Sequence, residues 1–136
     1  MKVKLDKDAF KPVRAHDLDA GYDLFARTGA VIAPRSAWAF DTGVHFQIPA
    51  GYVGFIKSKS GLNVNCGVLS EGVIDSGYTG SVVVKLYNHS ACNVVIEKGQ
   101  KISQIVFLPI FTPCLEIVDN LEATARGNNG FGSTGK

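Results

Sequence analysis

Apolar residues along this chain recur at alternate positions, in short runs cut by glycine, proline and small polar residues. Over residues 80–88, Val82, Val84 and Leu86 make one aliphatic face, while Val83, Lys85 and Tyr87 make a mixed one. That period of two belongs to a pleated strand and not to a helix. The same reading predicts strands over residues 3–5, 29–32, 37–41, 44–48, 51–58, 94–96, 102–108 and 115–118. Val, Ile, Phe and Tyr fill these runs, as suits a pleated surface. Pro34, Pro49, Pro109 and Pro113 fall at run ends, where a missing N–H harms no ladder. Only residues 60–66 read as a helix. No internal repeat and no alternation of strand with helix is visible, which disfavours a dinucleotide-binding or P-loop fold.

Composition sharpens this to one small domain. A chain of 136 residues suits a single core, and 46% hydrophobic content is enough to build it. The formal charge of +2 lacks the strongly basic face a nucleic-acid binder needs, yet permits an anionic small molecule held by local lysines and arginines. No apolar stretch reaches the roughly 18 residues of a membrane span, and residues 1–10 are charged and alternating, unlike a secretory leader. The expectation is a soluble cytoplasmic protein with no membrane contact. Cys66, Cys92 and Cys114 are odd in number and form no CxxC, so they read as reduced thiols in or near the core. His16, His45 and His89 are scattered and make no zinc cluster. Phe107, Ile110 and Phe111 read as core, and Trp38 as core or subunit contact.

The last stretch differs. Residues 123–136, ATARGNNGFGSTGK, hold four glycines with one cation, one aromatic ring and several hydroxyls. Nothing there offsets the entropy of ordering, so the expected division is a β domain over residues 1–122 and a flexible tail over 123–136. Arg126, Phe131, Ser133 and Thr134, set among glycines that let backbone N–H groups approach an anion, suit a lid that orders over a phosphorylated ligand.

Four further segments carry candidate chemistry. Asp19-Ala20-Gly21-Tyr22-Asp23-Leu24 presents a carboxylate after a glycine; alone it is a turn Asp at a strand start. Lys59-Ser60-Gly61-Leu62 offers a hydroxyl and successive N–H groups to an anion. Gly72-Val73-Ile74-Asp75-Ser76-Gly77-Tyr78-Thr79-Gly80 reads as a hairpin carrying a carboxylate and a phenol. Gly99-Gln100-Lys101-Ile102-Ser103-Gln104 reads as a turn entering a buried strand.

Together with the tail, these segments resemble the five motifs of the dUTPase family, from residue 19 to residue 135. The third is the closest match. The resemblance implies a jelly-roll-like all-β barrel with very little helix, assembled as a homotrimer whose active sites are shared between chains. It implies hydrolysis of dUTP to dUMP and pyrophosphate with Mg²⁺, which limits uracil in DNA and supplies dUMP. Asp75 is the implied base that activates water. Ile74 and the hairpin main chain receive uracil, and Tyr78 lies under the deoxyribose. Lys59, Ser60, Gly61 and Gln104 face phosphates, and Asp23 reaches the metal through water. Arg126 reaches the terminal phosphate, Phe131 stacks on the base, and Gly132, Ser133 and Thr134 bond the phosphate chain.

Three departures stand out. Lys59 and Lys101 replace arginines, which keeps charge but loses the planar fork, and Ser103 replaces alanine. The stretch between Leu62 and Ile74 is also short, so the pocket wall near Ser70 and Glu71 differs from familiar members. A dCTP deaminase shares the fold, but the Ile74-Asp75-Ser76 hairpin and the intact tail argue against it. A regulatory protein that keeps the pocket and signals through a partner is the alternative from another class.

Overall fold

The computed structural model describes residues 1–130. Eleven strands and one helix follow in chain order: β1 (Lys2–Leu5), β2 (Gly21–Phe25), β3 (Ala30–Ile32), β4 (Ala37–Asp41), β5 (Val44–Gln47), β6 (Tyr52–Ser58), α1 (Ser60–Cys66), β7 (Val68–Leu69), β8 (Glu71–Ile74), β9 (Val83–Asn88), β10 (Val94–Ile96) and β11 (Lys101–Pro109). All strand pairs are antiparallel. The main sheet runs β2-β11-β6-β8, a second runs β4-β9-β7, and the pairs β1-β5 and β10-β3 complete the wall. The fold is all-β and jelly-roll-like, with open sheets around one core.

Strand alternation builds that core. Val82, Val84 and Leu86 are buried while Val83, Lys85 and Tyr87 face out. Leu24, Ile56, Ile102 and Ile105 join them from the main sheet, and Phe40 from β4. Close packing leaves no room for a side chain at Gly54, where a Cβ would sit 2.9 Å from Ile105 Cδ1.

Several expectations need correction. Residues 115–118 form no strand, and Leu115 and Ile117 are nearly fully exposed, as is Phe111. They have strand-forming side chains but no neighbouring strand among the described residues, and a strand without a partner satisfies neither its backbone nor its apolar face. Phe111 and Ile110 are therefore not core, whereas Phe107 packs edge-on against Phe46 at 5.3 Å. Cys92 and Cys114 are exposed and so lie away from the core, whereas Cys66 is half-buried and packs against it as expected. Trp38 is half-exposed. Asp23 stands inside strand β2 rather than on a turn. No helix of the described residues is long and apolar enough to cross a membrane.

Candidate active site

Two groups of the expected residues form, and the sheet keeps them apart. The first gathers where β2, β11 and the end of β6 meet. Antiparallel register puts Gln104 of β11 between Asp23 of β2 and Lys57 of β6, and Ser103 opposite Ser58. The chain then turns through Lys59 into α1, so Ser60 and Gly61 open the helix next to this corner. No side chain caps that helix, which leaves its first N–H groups available.

Asp23 is the centre of this corner. It is buried, and Lys59 Nζ donates to its Oδ1 at 2.6 Å while Lys101 Nζ lies 2.8 Å from its Oδ2. Burial pushes the carboxyl up, but the ammonium groups of Lys101 and Lys59 outweigh it and hold Asp23 below the ordinary carboxylate range. The two lysines that the resemblance sets in place of arginines thus converge on one carboxylate. Sequence reasoning placed Lys59 and Asp23 in the site but did not connect them, and it gave Lys101 no role. The only signal was that both departures were to lysine. Gln104 reaches Ser58 O through Nε2 at 3.4 Å.

Ser103, the third departure, is buried and satisfied. Its hydroxyl donates to Lys57 O at 2.7 Å, so its single proton is used, and the Ser70 hydroxyl donates to it at 2.8 Å. Ser58 Oγ in turn donates to Ser70 O at 3.1 Å and accepts from Ser70 N–H at 2.9 Å. Three hydroxyls therefore stitch the wall beside the phosphate-facing corner.

The second group is the turn after β8, and the hairpin expected over residues 72–80 does not form: β8 pairs with β6 alone, and the chain passes on to β9 in the other sheet. Tyr78 N–H donates to Asp75 O at 3.0 Å, closing a tight turn that leaves both side chains exposed. The Tyr78 hydroxyl folds back to donate to Ser81 O at 2.9 Å, across Gly80. A Cβ at Gly80 would collide with the Tyr78 ring, which is the physical reason for glycine there.

The register separates the two groups. Ile74 pairs with Gly54 of β6, whereas the first group lies at Ser58, four residues or roughly 13 Å further along the strand. Asp23 and Ile74 also occupy opposite edges of the four-stranded sheet. Arg126 bonds within its own turn, its Nε donating to Asn129 O at 3.0 Å. Phe131, Gly132, Ser133 and Thr134 fall outside the described residues. Among the described residues, no three acidic, histidine or cysteine side chains come together as a metal cage.

An all-β chain with a cationic, hydroxyl-lined corner and an exposed turn carrying a carboxylate defines a class of nucleotide-handling β proteins, and relatives identify which. A model of the dUTPase family matches residues 7–135. The deoxyuridine 5'-triphosphate nucleotidohydrolase of Clostridium tetani is 41% identical over 140 residues, covering 100% of this chain and 97% of that protein. The protein of the same name from Paramecium bursaria Chlorella virus 1 is 39% identical, covering 97% and 94%. Among solved structures, a mutant of the Staphylococcus bacteriophage 80alpha dUTPase with dUpNHpp superposes with a TM-score of 0.91 at 33% identity, covering 99% of this chain and 98% of that one. A phage phi11 dUTPase mutant, described as revealing the coordination of a structural Mg(II) ion, gives 0.82 at 29% identity, covering 90% of this chain and 98% of that one. The chain belongs to the dUTPase family, whose enzymes are dUTP diphosphatases.

Proposed function

We propose that this chain hydrolyses dUTP to dUMP and pyrophosphate in sites shared between subunits of a homotrimer. The observation that carries the sharing is the separation just described. A carboxylate base must lie within hydrogen-bond reach of the water it activates, and that water must lie in line with a bound phosphorus. Asp75 and the Lys59–Ser60–Gln104 corner of one chain are too far apart to meet that demand. The turn after β8 of one subunit and the corner of another supply both halves. The exposed apolar segment with Phe111, Leu115 and Ile117 supports an assembly in which another chain covers it.

In this reading the main chain around Ile74 receives uracil, and Tyr78 lies under the deoxyribose, where a 2′-hydroxyl has no room. Ser60, Gly61 and Gln104 donate to phosphate oxygens. Asp23 anchors Lys59 and Lys101 and aims their positive charge at the same place. The tail closes over the ligand as a third subunit's contribution, with Arg126 at the terminal phosphate, Phe131 over the base, and Gly132, Ser133 and Thr134 along the phosphate chain. Asp75 takes a proton from a water whose oxygen bonds to the α-phosphorus. The bond from that phosphorus to the bridging oxygen breaks, and pyrophosphate leaves.

Mg²⁺ fits this site as an ion carried by the triphosphate rather than as a resident one. The acidic group expected beside it, Asp23, already spends both oxygens on ammonium groups, and Mg²⁺ commonly binds through substrate phosphates and retained water. When bound it draws charge from the phosphate oxygens.

Pyrophosphate release measured on dUTP, dTTP, dCTP and UTP, with Asp75→Asn alongside, tests the reading. Release from dUTP alone, falling by at least about a hundredfold in the variant, is expected. Equal release from UTP, or an active Asp75→Asn enzyme, overturns it.

A further inference from the structure

Residues 79–82, the far limb of the turn after β8, are held by the end of β4, by Thr42 after it and by β5. Ser81 Oγ donates to Asp41, Thr42 Oγ1 donates to Val82 O at 2.7 Å, and His45 Nδ1 lies 2.9 Å from Thr79 O. His45 reaches the other way as well, with Nε2 3.1 Å from Asp6 Oδ1. The ring is mostly buried between these two partners. Both partners are acceptors, a main-chain carbonyl and a carboxylate. A neutral imidazole has one N–H and one lone pair, so it can satisfy one of them and must turn a lone pair toward the other. Only the imidazolium donates to both.

We propose that His45 is a positioning residue for the turn that follows β8, and that its imidazolium form ties Thr79, next to Tyr78, to Asp6 at the end of β1. Deprotonation of the ring loosens the limb that carries Tyr78 and weakens nucleotide binding without touching the chemistry at Asp75. The inference rests on the reading of residues 74–80 as the nucleotide-binding turn.

The charges around the ring agree with this assignment. Asp6 faces Nε2 directly, and Asp41 on β4 contributes a second negative charge nearby. Arg27, from the β2–β3 connection, bridges the two carboxylates at 3.5 and 3.6 Å, and so fixes Asp6 in place for His45. Lys4, whose register partner is His45, lies 3.9 Å from Asp6 and is largely exposed, where water screens it. Lys2 completes the basic side of the same cleft. From the turn itself the ring meets the uncharged Thr79 carbonyl.

The test measures KM and kcat for dUTP from pH 5.5 to 8.5 in the wild type, His45→Gln, Asp6→Asn and Asp75→Asn. Titration of the nucleotide's own phosphates is common to all proteins and cancels in the ratio of variant to wild type. At pH 5.5 His45→Gln should raise KM about five- to tenfold with kcat within about twofold, the size of one lost charge-assisted hydrogen bond. The ratio should shrink as the pH rises, since only the doubly protonated ring donates to both acceptors. Asp6→Asn, whose amide N–H can donate to Nε2 of the neutral ring while Nδ1–H donates to Thr79 O, should instead leave KM near the wild-type value at pH 5.5 and make it less dependent on pH. A His45→Gln KM ratio of one at every pH, or a raised ratio that does not vary with pH, overturns the assignment, since a merely structural histidine gives one of those. If Asp75→Asn turns over dUTP at the wild-type rate, the reading of the turn itself fails and this inference falls with it. If Asp75→Asn is inactive while the His45→Gln ratio stays flat, only the role of His45 fails.

Discussion

Asp41 shows how much of this molecule is set by single polar contacts. The Ser81 hydroxyl and the Gly43 N–H, which donates at 2.9 Å, bond its carboxylate, and Arg27 and His45 add positive charge nearby. These outweigh burial and hold the group below the ordinary carboxylate range. A depressed carboxyl stabilises the fold above its unfolded value, near about pH 3.9, and loses that contribution as pH falls through the folded value. Urea midpoints at pH 5 and pH 3 should show a smaller acid loss in Asp41→Asn than in wild type, and parallel losses would rule the contact out as a source of stability. Gly80 gives a second prediction at this scale. Gly80→Ala should re-aim the Tyr78 ring rather than unfold the chain, because the ring is the movable partner. The expected result is an unchanged Tm within a few degrees and a fall of about tenfold in the kcat/KM preference for dUTP over UTP, the size of one displaced contact in a shape-selective pocket. These two contacts were illegible in the sequence. Motif spacing located Tyr78 and Gly80, but nothing along the chain says that Asp41 meets Ser81 or that His45 meets Thr79.

At the scale of elements, alternation carried the reading wherever a strand has a neighbour to bury one face against. Residues 37–41 and 94–96 were legible to the residue, and the helix at 60–66 as well. Strands β2, β7 and β8 were not, because the buried polar Asp23 breaks the alternation of the first, two residues are too few to show a period in the second, and Gly72 interrupts the third. Residues 115–118 failed in the opposite way, with a strand's side chains and no partner among the described residues. Local pattern reports what a segment can pair as, while pairing itself depends on the neighbour. The β6–β11 seam provides the test. A Cβ at Gly54 meets Ile105 at 2.9 Å and Ile48 at 3.2 Å inside the core, whereas at Gly72, on the adjacent strand, it meets Ile56 at an ordinary 3.4 Å. Gly54→Ala should cost about 1 to 3 kcal/mol by urea denaturation, and Gly72→Ala less than about 1. Equal costs would mean that the seam is looser than the structure shows.

For the whole molecule the decisive feature is that the two halves of the proposed site stand apart along β6 of one chain, Ile74 beside Gly54 and the Asp23 corner beside Ser58. The sequence names the residues of both halves. It holds no sign of their separation, since proximity of motifs along a chain says nothing about strand order. Two inactive variants, Asp75→Asn and Ser60→Ala/Gln104→Ala, should therefore complement each other. Each retains the half the other lacks, so random mixing in trimers leaves about a quarter of the sites intact. The measurement is pyrophosphate release from dUTP after the two proteins are unfolded together, refolded at equal amounts and shown to be of mixed composition. Recovery of about a quarter of wild-type activity, where each variant refolded alone has almost none, is the result a shared site requires. Mixed trimers with no more activity than the separate variants would contradict it and return the whole reaction to a single chain.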